Sequence, residues 1–455
     1  MPQPPCILTI AGSDSGGGAG IQADLKTIAM LGGFGASVIT ALTAQNTSGV
    51  AGIHAPPARF VAQQLKAVLS DMPVAAAKTG MLFSAAIVKA VAAFLRDHEF
   101  PLVVDPVCVA QSGARLLEPD AVEVLAERLF PVADLVTPNV PEAEVFAGME
   151  IKTAEQAGQA AERILALGPR AVLVKGGHMD SVTATDWFVE RGARPIPLIQ
   201  PRVATPYTHG TGCALSAAIA AGLGQGLELV PAVRRAQRYL NTALRAGFKV
   251  GKGGGSPNHL VPLLKEQARR RVLDELARAG RALAAMPGLA RLVPEVRMNL
   301  AVALPFAEGE DEVAAFSGRI SCDRRGAILI AGCPEFGASS HMARALLAAR
   351  RIRAELSCAA NIRLDTAVLA ALERAGIRAA WFDRADEPAH AKAREGGSLE
   401  WGVLEALGRH PDPGLVDAVC DRGEVGKEPV VRLFAADVDG MLGMLARILS
   451  GLEGK

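Results

Sequence analysis

Short apolar runs rich in β-branched residues alternate with segments of helical periodicity over the first half of the chain. The runs that predict strands are 6–11, 36–41, 74–78, 102–106, 135–137 and 171–175. The segments that predict helices are 21–31, 58–70, 85–97 and 154–167. This alternation is typical of βαβ units and predicts a mostly parallel sheet with helices on both faces. Ligands of such sheets bind beyond the carboxyl ends of the strands.

The alternation stops near residue 262. Residues 263–286 are rich in Lys, Arg, Glu, Ala and Leu, with apolar positions at helical spacing. We interpret them as one or two exposed helices that join two units and end at Pro287 and Gly288. Further strands are predicted at 300–304, 327–331, 379–382, 418–420 and 430–434, and further helices at 340–351, 366–375, 399–407 and 439–449. The sequence therefore predicts a first domain over 1–262, a helical linker over 263–286 and a smaller α/β domain over 287–455.

Composition and charge narrow the class of protein. The 455 residues are enough for two to three domains. The 48 basic and 47 acidic residues give a net charge of +1, which does not favour a nucleic-acid-binding surface. Seven cysteines without a C-x-x-C pair favour reduced thiols, and no apolar run reaches the ~18 residues of a membrane span. We therefore expect a cytoplasmic protein whose partners are small molecules, with neither nucleic acid nor membrane among them.

A glycine-rich turn, 208–213, opens directly onto a helix of small residues. Glycines let the backbone approach a ligand closely, and the free N–H groups at a helix start bind anions. A cysteine in this place can have a lowered pKa. The turn therefore predicts a phosphate cradle at Gly210 and Gly212 with a possible base, Cys213, inside it. The alternative is a tight strand-to-helix turn that carries a buried cysteine.

A second glycine-rich loop, 12–20, follows the first predicted strand and begins with Gly12. Its position before a helix favours a ligand over a flexible surface loop. Asp24 and Gln45 could read a small heterocycle, because a carboxylate and an amide accept and donate hydrogen bonds in fixed directions. The alternative for both residues is a role as a cap or turn residue.

Oxygen-bearing side chains also follow predicted strands. Asp105, Asn139 and Glu142 lie at strand ends, and such ligands suit Mg²⁺ that bridges to phosphates. Asn139 and Glu142 could instead form a capping box at a helix start. Lys175 ends another predicted strand before two glycines, where it could hold phosphate charge.

The second half of the chain also carries features suited to an anion. Residues 337–341 form a glycine-containing helix start with His341 beside it. Arg319, Asn361 and Arg363 lie near predicted strand or helix ends, and Lys427 lies in a glycine-punctuated loop. Each arginine alone is typical of a solvated surface charge. Several of them together with glycines suit a diphosphate ligand.

Taken together, the segments of the first half resemble the ribokinase-like superfamily, and more narrowly the hydroxymethylpyrimidine/phosphomethylpyrimidine kinases of thiamin biosynthesis. The resemblance covers about residues 6–260 and rests on segments 10–14, 17–24, 43–47, 78–81, 105–107, 137–139, 175–178 and 209–213. It implies a three-layer α/β domain with a mostly parallel sheet. It also implies transfer of phosphate from ATP, with Mg²⁺, to hydroxymethylpyrimidine and then to its monophosphate.

The same resemblance implies roles for individual residues. The family's pyrimidine site maps onto Asp24, Gln45, Met81 and Val107. Its anion hole maps onto 210–213, with Cys213 in the place of the catalytic aspartate of sugar kinases. The sequence departs from the family pattern at Cys108, where methionine is commoner, and at Gln111. Both departures are expected to affect only the packing or the lip of the site.

Residues 272–455 are similar to the archaeal-type thiamine-phosphate synthase domain. This resemblance implies condensation of hydroxymethylpyrimidine diphosphate with thiazole phosphate, which releases pyrophosphate. Arg319 and His341 would act on the diphosphate, and Asn361, Arg363 and Lys427 would lie in phosphate sites. One alternative is a second domain that only binds thiamine phosphate and regulates or scaffolds the kinase. Another makes the first domain a pyridoxal kinase. The family implies a homodimer.

Overall fold

The protein is described here by a computed structural model, which describes residues 3–108, 116–177, 183–393, 397–424 and 426–453. Gln111 and His178 of the motifs above lie outside these residues. The chain divides into two compact units, Met1–Pro262 and Leu263–Lys455. None of the helices in the described ranges has the length and apolar character needed to cross a lipid bilayer.

The first unit alternates strands with helices. Its strands are β1 (Cys6–Asp14), β2 (Phe34–Asn46), β3 (Gly49–His54), β4 (Val74–Thr79), β5 (Leu102–Val104), β6 (Leu135–Val136), β7 (Ala171–Val174), β8 (Thr183–Glu190) and β9 (Ile196–Pro201). Its helices are α1 (Gly20–Met30), α2 (Ala58–Leu69), α3 (Ala85–Leu95), α4 (Pro119–Arg128), α5 (Val140–Ala147), α6 (Ala154–Leu165), α7 (Thr211–Gly224) and α8 (Leu229–Arg245).

These strands form one nine-stranded sheet in the order β3-β2-β1-β4-β5-β6-β7-β8-β9. The six neighbouring strands β2, β1, β4, β5, β6 and β7 pair in parallel. At the two edges, β3 pairs antiparallel with β2, β8 with β7, and β9 with β8. Successive side chains of β1 point to opposite faces of the sheet. Leu8 packs with α2 to α6 on one face, and Ile7 packs with α1, α7 and α8 on the other. The predicted three-layer fold with a mostly parallel sheet is confirmed.

The second unit is built around a different sheet. Its strands are β10 (Leu300–Ala303), β11 (Val313–Phe316), β12 (Ile320–Cys322), β13 (Ile328–Ile330), β14 (Pro334–Phe336), β15 (Cys358–Arg363), β16 (Ala379–Phe382), β17 (Ala418–Asp421) and β18 (Val430–Ala435). Its helices are α9 (Val261–Ala284), α10 (Ser340–Arg350), α11 (Thr366–Arg374), α12 (Ala389–Ala393), α13 (Gly397–Arg409) and α14 (Val438–Glu453). The seven-stranded sheet has the order β14-β11-β10-β15-β18-β17-β16, and β12 and β13 form a separate hairpin. In the described part of the seven-stranded sheet, only β16 and β17 pair in parallel.

Helix α9 corrects the predicted linker. Val272, Leu276 and Leu283 are buried in the same apolar core as the strands and helices of the second unit. The segment 263–286 is therefore part of that unit and is not an exposed connection. The many charged residues of the segment lie around a single apolar stripe, and a stripe of this kind is buried against a core.

His259 holds two helices of the first unit together. Its Nδ1 lies 3.2 Å from Thr27 Oγ1 in α1 and 3.1 Å from Tyr239 Oη in α8. Burial, with a smaller contribution from Lys26, lowers the pKa of His259 to about 4. The ring is therefore neutral in the folded state, where the lone pair of Nδ1 can accept from one of these two hydroxyls.

We expect this histidine to make the first unit sensitive to acid. An unfolded histidine has a pKa of about 6.5, so the unfolded state binds more protons below that pH. The stabilisation is complete above pH 6.5 and is lost as the pH falls towards 4, by about 3 kcal/mol. Urea unfolding at a series of pH values should show the gap in unfolding free energy between wild type and His259→Gln closing by this amount. A gap that stays constant with pH would contradict the prediction.

Candidate functional site

The glycine turn and the glycine-rich loop meet backbone to backbone. Helix α7 begins after Gly210, whose φ of 86° is in the left-handed region. A Cβ on Gly210 would lie 1.9 Å from the carbonyl oxygen of Gly18, so only glycine fits there. The backbone N–H of Gly20 lies near enough to the sulfur of Cys213 to lower its pKa. The two predicted anion motifs therefore form one continuous cradle at the start of α7.

Asp14 organises the loop half of this cradle. Its Oδ1 accepts from Gly16 N at 2.8 Å, and its Oδ2 accepts from Gly18 N at 3.1 Å and Ala19 N at 2.8 Å. His209 Nε2 lies 3.1 Å from the same Oδ2. Burial alone would raise the pKa of Asp14, but the hydrogen bonds from His209 and the backbone lower it.

Neither Asp14 nor His209 was singled out from the sequence. The signal was an aspartate followed two and four residues later by glycine, a spacing suited to side-chain acceptance from loop N–H groups. His209 directly precedes the glycines of the turn. Together they fasten the loop to the turn.

The predicted pyrimidine-binding residues are placed around this cradle. The Gln45 side chain is half-buried, with Nε2 3.4 Å from His209 Nε2 and Oε1 accepting from Thr43 Oγ1 at 3.1 Å. Met81 is buried, and its sulfur lies 3.0 Å from the point that a Cβ on Gly12 would occupy. Val107 is half-buried just beyond the end of β5. Gln45 therefore faces the cradle, and Met81 packs against the first residue of the loop.

Asp24 lies elsewhere than the sequence suggested. Its side chain is 0% exposed and is 3.2 Å from Lys78 Nζ, which is also 0% exposed. Thr9 Oγ1 donates to its Oδ2 at 2.6 Å. Both carboxylate oxygens are occupied, so a direct contact with a heterocycle is not available in this arrangement. Asp24 instead holds Lys78 beneath the cradle.

Lysines and carboxylates lie next to one another beneath the start of α7. Lys175 Nζ is 2.8 Å from Asp105 Oδ1. A Cβ on Gly212 would lie 3.5 Å from both Lys175 Nζ and Asp105 Oδ2. Burial alone would lower the pKa of Lys78, but Asp24, Cys213 and Asp105 raise it, so this lysine stays charged. The cradle therefore has cations beneath it that can neutralise phosphate.

The thiol of Cys213 differs from the expectation. Burial raises its pKa to about 11, and Asp24 and Asp105 contribute in the same direction, while Lys78 and the N–H of Gly20 oppose them. The lowered pKa predicted from the helix start is wrong for this state of the protein. At a half-buried site the loss of hydration outweighs the helix dipole.

The predicted metal ligands are partly used by the fold. Asn139 caps α5, and its Oδ1 accepts from Glu142 N at 2.9 Å while Glu142 Oε2 accepts from Asn139 N at 2.9 Å. This is the capping box that the sequence allowed as an alternative. Burial and then the charge of Asp105 raise the pKa of Glu142 to about 7, although Lys175 opposes this.

Asp105 and Glu142 suit one hard cation whose remaining ligands come from water or phosphate. Among the described residues no group of three or more His, Cys, Asp or Glu could hold a metal ion. Mg²⁺ commonly takes one or two carboxylates and completes its shell with water and phosphate oxygens. The mutual repulsion of Asp105 and Glu142 would be relieved by such an ion.

In the second unit, two of the predicted residues come together. Arg319 has a φ of 64° and donates from Nη1 to Val296 O at 2.9 Å. His341 lies in the first turn of α10. Burial lowers the pKa of His341, and the charges of Arg319, Arg344 and Arg432 lower it further. This part of the unit is therefore strongly electropositive.

The other predicted residues of this unit make local contacts. Asn361 lies on β15 with Oδ1 accepting from Asn299 N at 2.8 Å and Nδ2 donating to Arg297 O at 3.0 Å. Arg363 pairs with Asp365 at 3.0 Å, and Lys427 pairs with Glu424. Their roles in phosphate binding stay predictions.

The first unit has a mostly parallel sheet between two layers of helices and a glycine turn at the start of α7. This is the architecture of ribokinase-like kinases. The chain belongs to the phosphomethylpyrimidine kinase family, whose model matches residues 14–258. A second family model, thiamine-phosphate synthase ThiN, matches residues 275–446. The chain therefore carries regions matched by a kinase family and a synthase family in series.

Known relatives match a little more than half of the chain. The chain is 53% identical over 256 residues to a "Thiamine biosynthesis bifunctional protein ThiED" of Geobacter sulfurreducens, a match that spans 56% of the chain but only 52% of that relative. It is 47% identical over 257 residues to a hydroxymethylpyrimidine/phosphomethylpyrimidine kinase of Haemophilus influenzae, which covers 56% of the chain and 96% of the relative. Among solved structures, an ADP complex of Bacillus subtilis pyridoxal kinase is 34% identical, with a TM-score of 0.53, and covers 56% of the chain and 98% of that protein.

Proposed function

We propose that the first unit transfers phosphate from ATP to hydroxymethylpyrimidine and then to its monophosphate. The observation that carries this proposal is the placement of Cys213 at the start of α7, above Lys78 and the Lys175–Asp105 pair. An acceptor hydroxyl beside the sulfur would face a phosphate held by the cradle. The higher identity to the pyrimidine kinase than to the pyridoxal kinase, 47% against 34%, favours a pyrimidine over pyridoxal.

Positioning and charge neutralisation do most of the work in phosphoryl transfer. The hydroxyl oxygen of the substrate forms a bond to the terminal phosphorus of ATP, the bond to ADP breaks, and the hydroxyl proton goes to the thiolate form of Cys213, which is the minor form at neutral pH. The N–H groups of the cradle and the ammonium of Lys175 stabilise the transferring phosphoryl group. Asp105 and Glu142 would hold Mg²⁺, which supplies neutralisation of the phosphate charge when it is bound.

The second phosphorylation differs in its demand for a base. The acceptor is then a phosphate oxygen that is already ionised. Cys213 has no proton to remove in that step, so its contribution should be smaller. Gln45 and Met81 would hold the pyrimidine ring in both steps.

We also propose that the second unit condenses the diphosphate with thiazole phosphate. The thiazole nitrogen forms a bond to the methylene carbon of the pyrimidine, the bond from that carbon to the diphosphate breaks, and pyrophosphate leaves. The cluster of Arg319, His341 and neighbouring arginines supports this proposal, because it suits a leaving group with several negative charges.

Both activities can be tested with one assay of the full chain. The purified protein is supplied with pyrimidine alcohol, thiazole phosphate and Mg-ATP, and the products are separated by chromatography. We expect thiamine phosphate, and we expect the reaction to stop at the pyrimidine diphosphate when thiazole phosphate is omitted. Binding of thiamine phosphate without its formation would favour a regulatory second unit. A higher kcat/KM for pyridoxal than for the pyrimidine would overturn the substrate assignment.

The family resemblance also supports a cytoplasmic homodimer as the working form. Light scattering of the purified chain would measure its molar mass. A monomer that makes thiamine phosphate at the full rate would overturn the dimer.

Gln45→Ala is expected to weaken binding of the pyrimidine far more than binding of ATP. The loss of a directional contact to the ring should cost roughly 1–3 kcal/mol, or about 5- to 150-fold in the dissociation constant. Calorimetric titration with each ligand measures the two effects separately. Asn46→Ala is a suitable control, since Asn46 is the exposed neighbour of Gln45 on β2. Equal losses for both ligands would mean that Gln45 only shapes the loop.

A further inference from the structure

Arg432 is a buried cation in the middle of the second sheet. It lies on β18, opposite Asn361 of β15 and Val419 of β17, and is only 9% exposed. The nearest carboxylate is Asp421, whose Oδ2 is 3.6 Å from Arg432 Nη1. That distance is too long for a hydrogen bond. In the described part of the chain, Nη1 is buried and has no hydrogen-bond partner.

Asp421 is already engaged by another arginine. Arg384 donates to it from Nε at 3.1 Å and from Nη2 at 2.6 Å, and Gly423 N donates to it at 2.9 Å. The forked geometry of Arg384 is the stronger arrangement for a carboxylate. Two guanidinium groups therefore share one carboxylate, which Arg384 binds by hydrogen bonds and Arg432 by a longer ion pair.

A buried charge that lacks part of its hydrogen bonds is costly. Burial lowers the pKa of Arg432 to about 10, and Arg384 adds to this, although Asp421 opposes it. Arginine is otherwise protonated at every ordinary pH. The folded protein therefore keeps a cation at a buried position in an otherwise apolar strand.

Further positive groups surround the same place. Helix α10 packs against β18 as well as against β10 and β15. The charge of Arg432 acts on the imidazole of His341 at the start of this helix, as do the charges of Arg319 and Arg344. Arg344 is paired with Glu310 at 2.6 Å. The start of α10, the imidazole of His341 and the buried guanidinium of Arg432 are therefore near enough for their charges to interact.

We propose that Arg432 is the inner wall of an anion subsite in the second unit and binds the diphosphate group of the substrate. This inference rests on the proposed function, because it names the residue that holds the leaving group. A guanidinium can bind two phosphate oxygens at once, and a diphosphate would supply the hydrogen-bond acceptor that Nη1 lacks among the described residues. Arg319 and His341 would then contact the same group from its more exposed side.

Inorganic pyrophosphate is the probe for this subsite. Its binding to the full chain is measured by calorimetric titration for wild type, Arg432→Met and Arg432→Lys. We expect the methionine variant to lose at least tenfold in affinity. The lysine variant should fold as wild type does and lose affinity to a smaller degree, because it keeps the charge but not the fork. Unchanged affinity in both variants, or no binding by wild type, would overturn the proposal.

The stability of the ligand-free protein separates a binding role from a structural one. Arg432→Met removes a cation whose Nη1 has no hydrogen bond to the described residues and whose ion pair with Asp421 is 3.6 Å long, so the melting temperature of the second unit should stay the same or rise. Arg384→Met is the matched control, since it breaks a hydrogen-bonded ion pair and should lower that temperature. A clear loss of stability in Arg432→Met, together with normal pyrophosphate binding by Arg432→Lys, would show that the residue is only structural.

The condensation assay distinguishes this inference from the proposed function. If Arg432 binds the diphosphate, Arg432→Lys should raise the KM for the pyrimidine diphosphate more than the KM for thiazole phosphate, and the kinase steps should not change. If wild type binds pyrophosphate and Arg432→Met does not, but neither protein makes thiamine phosphate, the anion subsite is supported and the proposed synthase activity is overturned. If wild type condenses its substrates and Arg432→Lys has an unchanged KM for both, the subsite falls and the activity stands.

Discussion

Cys213→Ala is expected to slow phosphorylation of the pyrimidine alcohol by about 10²–10⁴-fold, the usual contribution of a general base. Phosphorylation of the monophosphate should fall much less, because its acceptor oxygen carries no proton to be removed. Single-turnover rates with each acceptor measure both effects. Cys6→Ala is the matched control, since Cys6 is a buried cysteine at the opposite end of β1 from the cradle.

The raised pKa of Cys213 gives this prediction a pH signature. With a pKa of about 11, the thiol is ionised in only about one molecule in 10⁴ at pH 7. The rate of the alcohol step should therefore rise about tenfold for each pH unit between pH 7 and 9, and the rise should be absent in Cys213→Ala. The phosphate step should show no such rise. A near-normal alcohol rate in the alanine variant, or the same pH slope without the cysteine, would exclude the sulfur as the base.

Lys78→Met is expected to destabilise the first unit by about 3–5 kcal/mol, because it leaves Asp24 as a buried carboxylate without its cation. Chemical unfolding of the full chain measures the loss. The double variant Asp24→Leu with Lys78→Met removes both charges and should recover most of it, since a well-packed apolar pair often replaces a buried ion pair without cost.

An exposed pair provides the comparison for this experiment. Lys152 and Glu150 are 2.8 Å apart but each side chain is 69% exposed, so Lys152→Met should leave the unfolding midpoint almost unchanged. If Lys78→Met unfolds at the wild-type midpoint and loses only phosphoryl transfer, then Lys78 acts on the phosphate directly. If the double variant is as unstable as the single one, the pair is not the cause of the loss.

The central strands and the glycine turn could be predicted from the sequence because their signals are local. Strands β1, β4 and β7 are short apolar runs buried on both faces, and such runs stand out between helices. Strands β8 and β9 were missed, since they pair antiparallel at the sheet edge and mix polar with apolar residues. β15 was also missed, because Cys358–Arg363 is short and rich in alanine, which favours helices.

The site was less predictable than the fold because its key contacts join distant parts of the chain. The pairing of Asp24 with Lys78 decides that Asp24 is buried, and no local pattern shows it. The role of α9 could have been read from its apolar stripe, but its charged composition suggested an exposed segment. Arg432 lies in an otherwise apolar strand, where an isolated arginine was the available signal.

The contact between Asp14 and His209 has a consequence for synthesis of the protein on the ribosome. The two residues are 195 positions apart. Asp14 therefore leaves the ribosome early, and His209 is synthesised only after strands β1 to β9. Contacts so distant along the chain close late in folding. The glycine loop can therefore be fastened to the turn only after all nine strands of the first unit have been synthesised. A chain stalled before residue 209 lacks the histidine, so its glycine loop should be open to proteolysis until synthesis resumes.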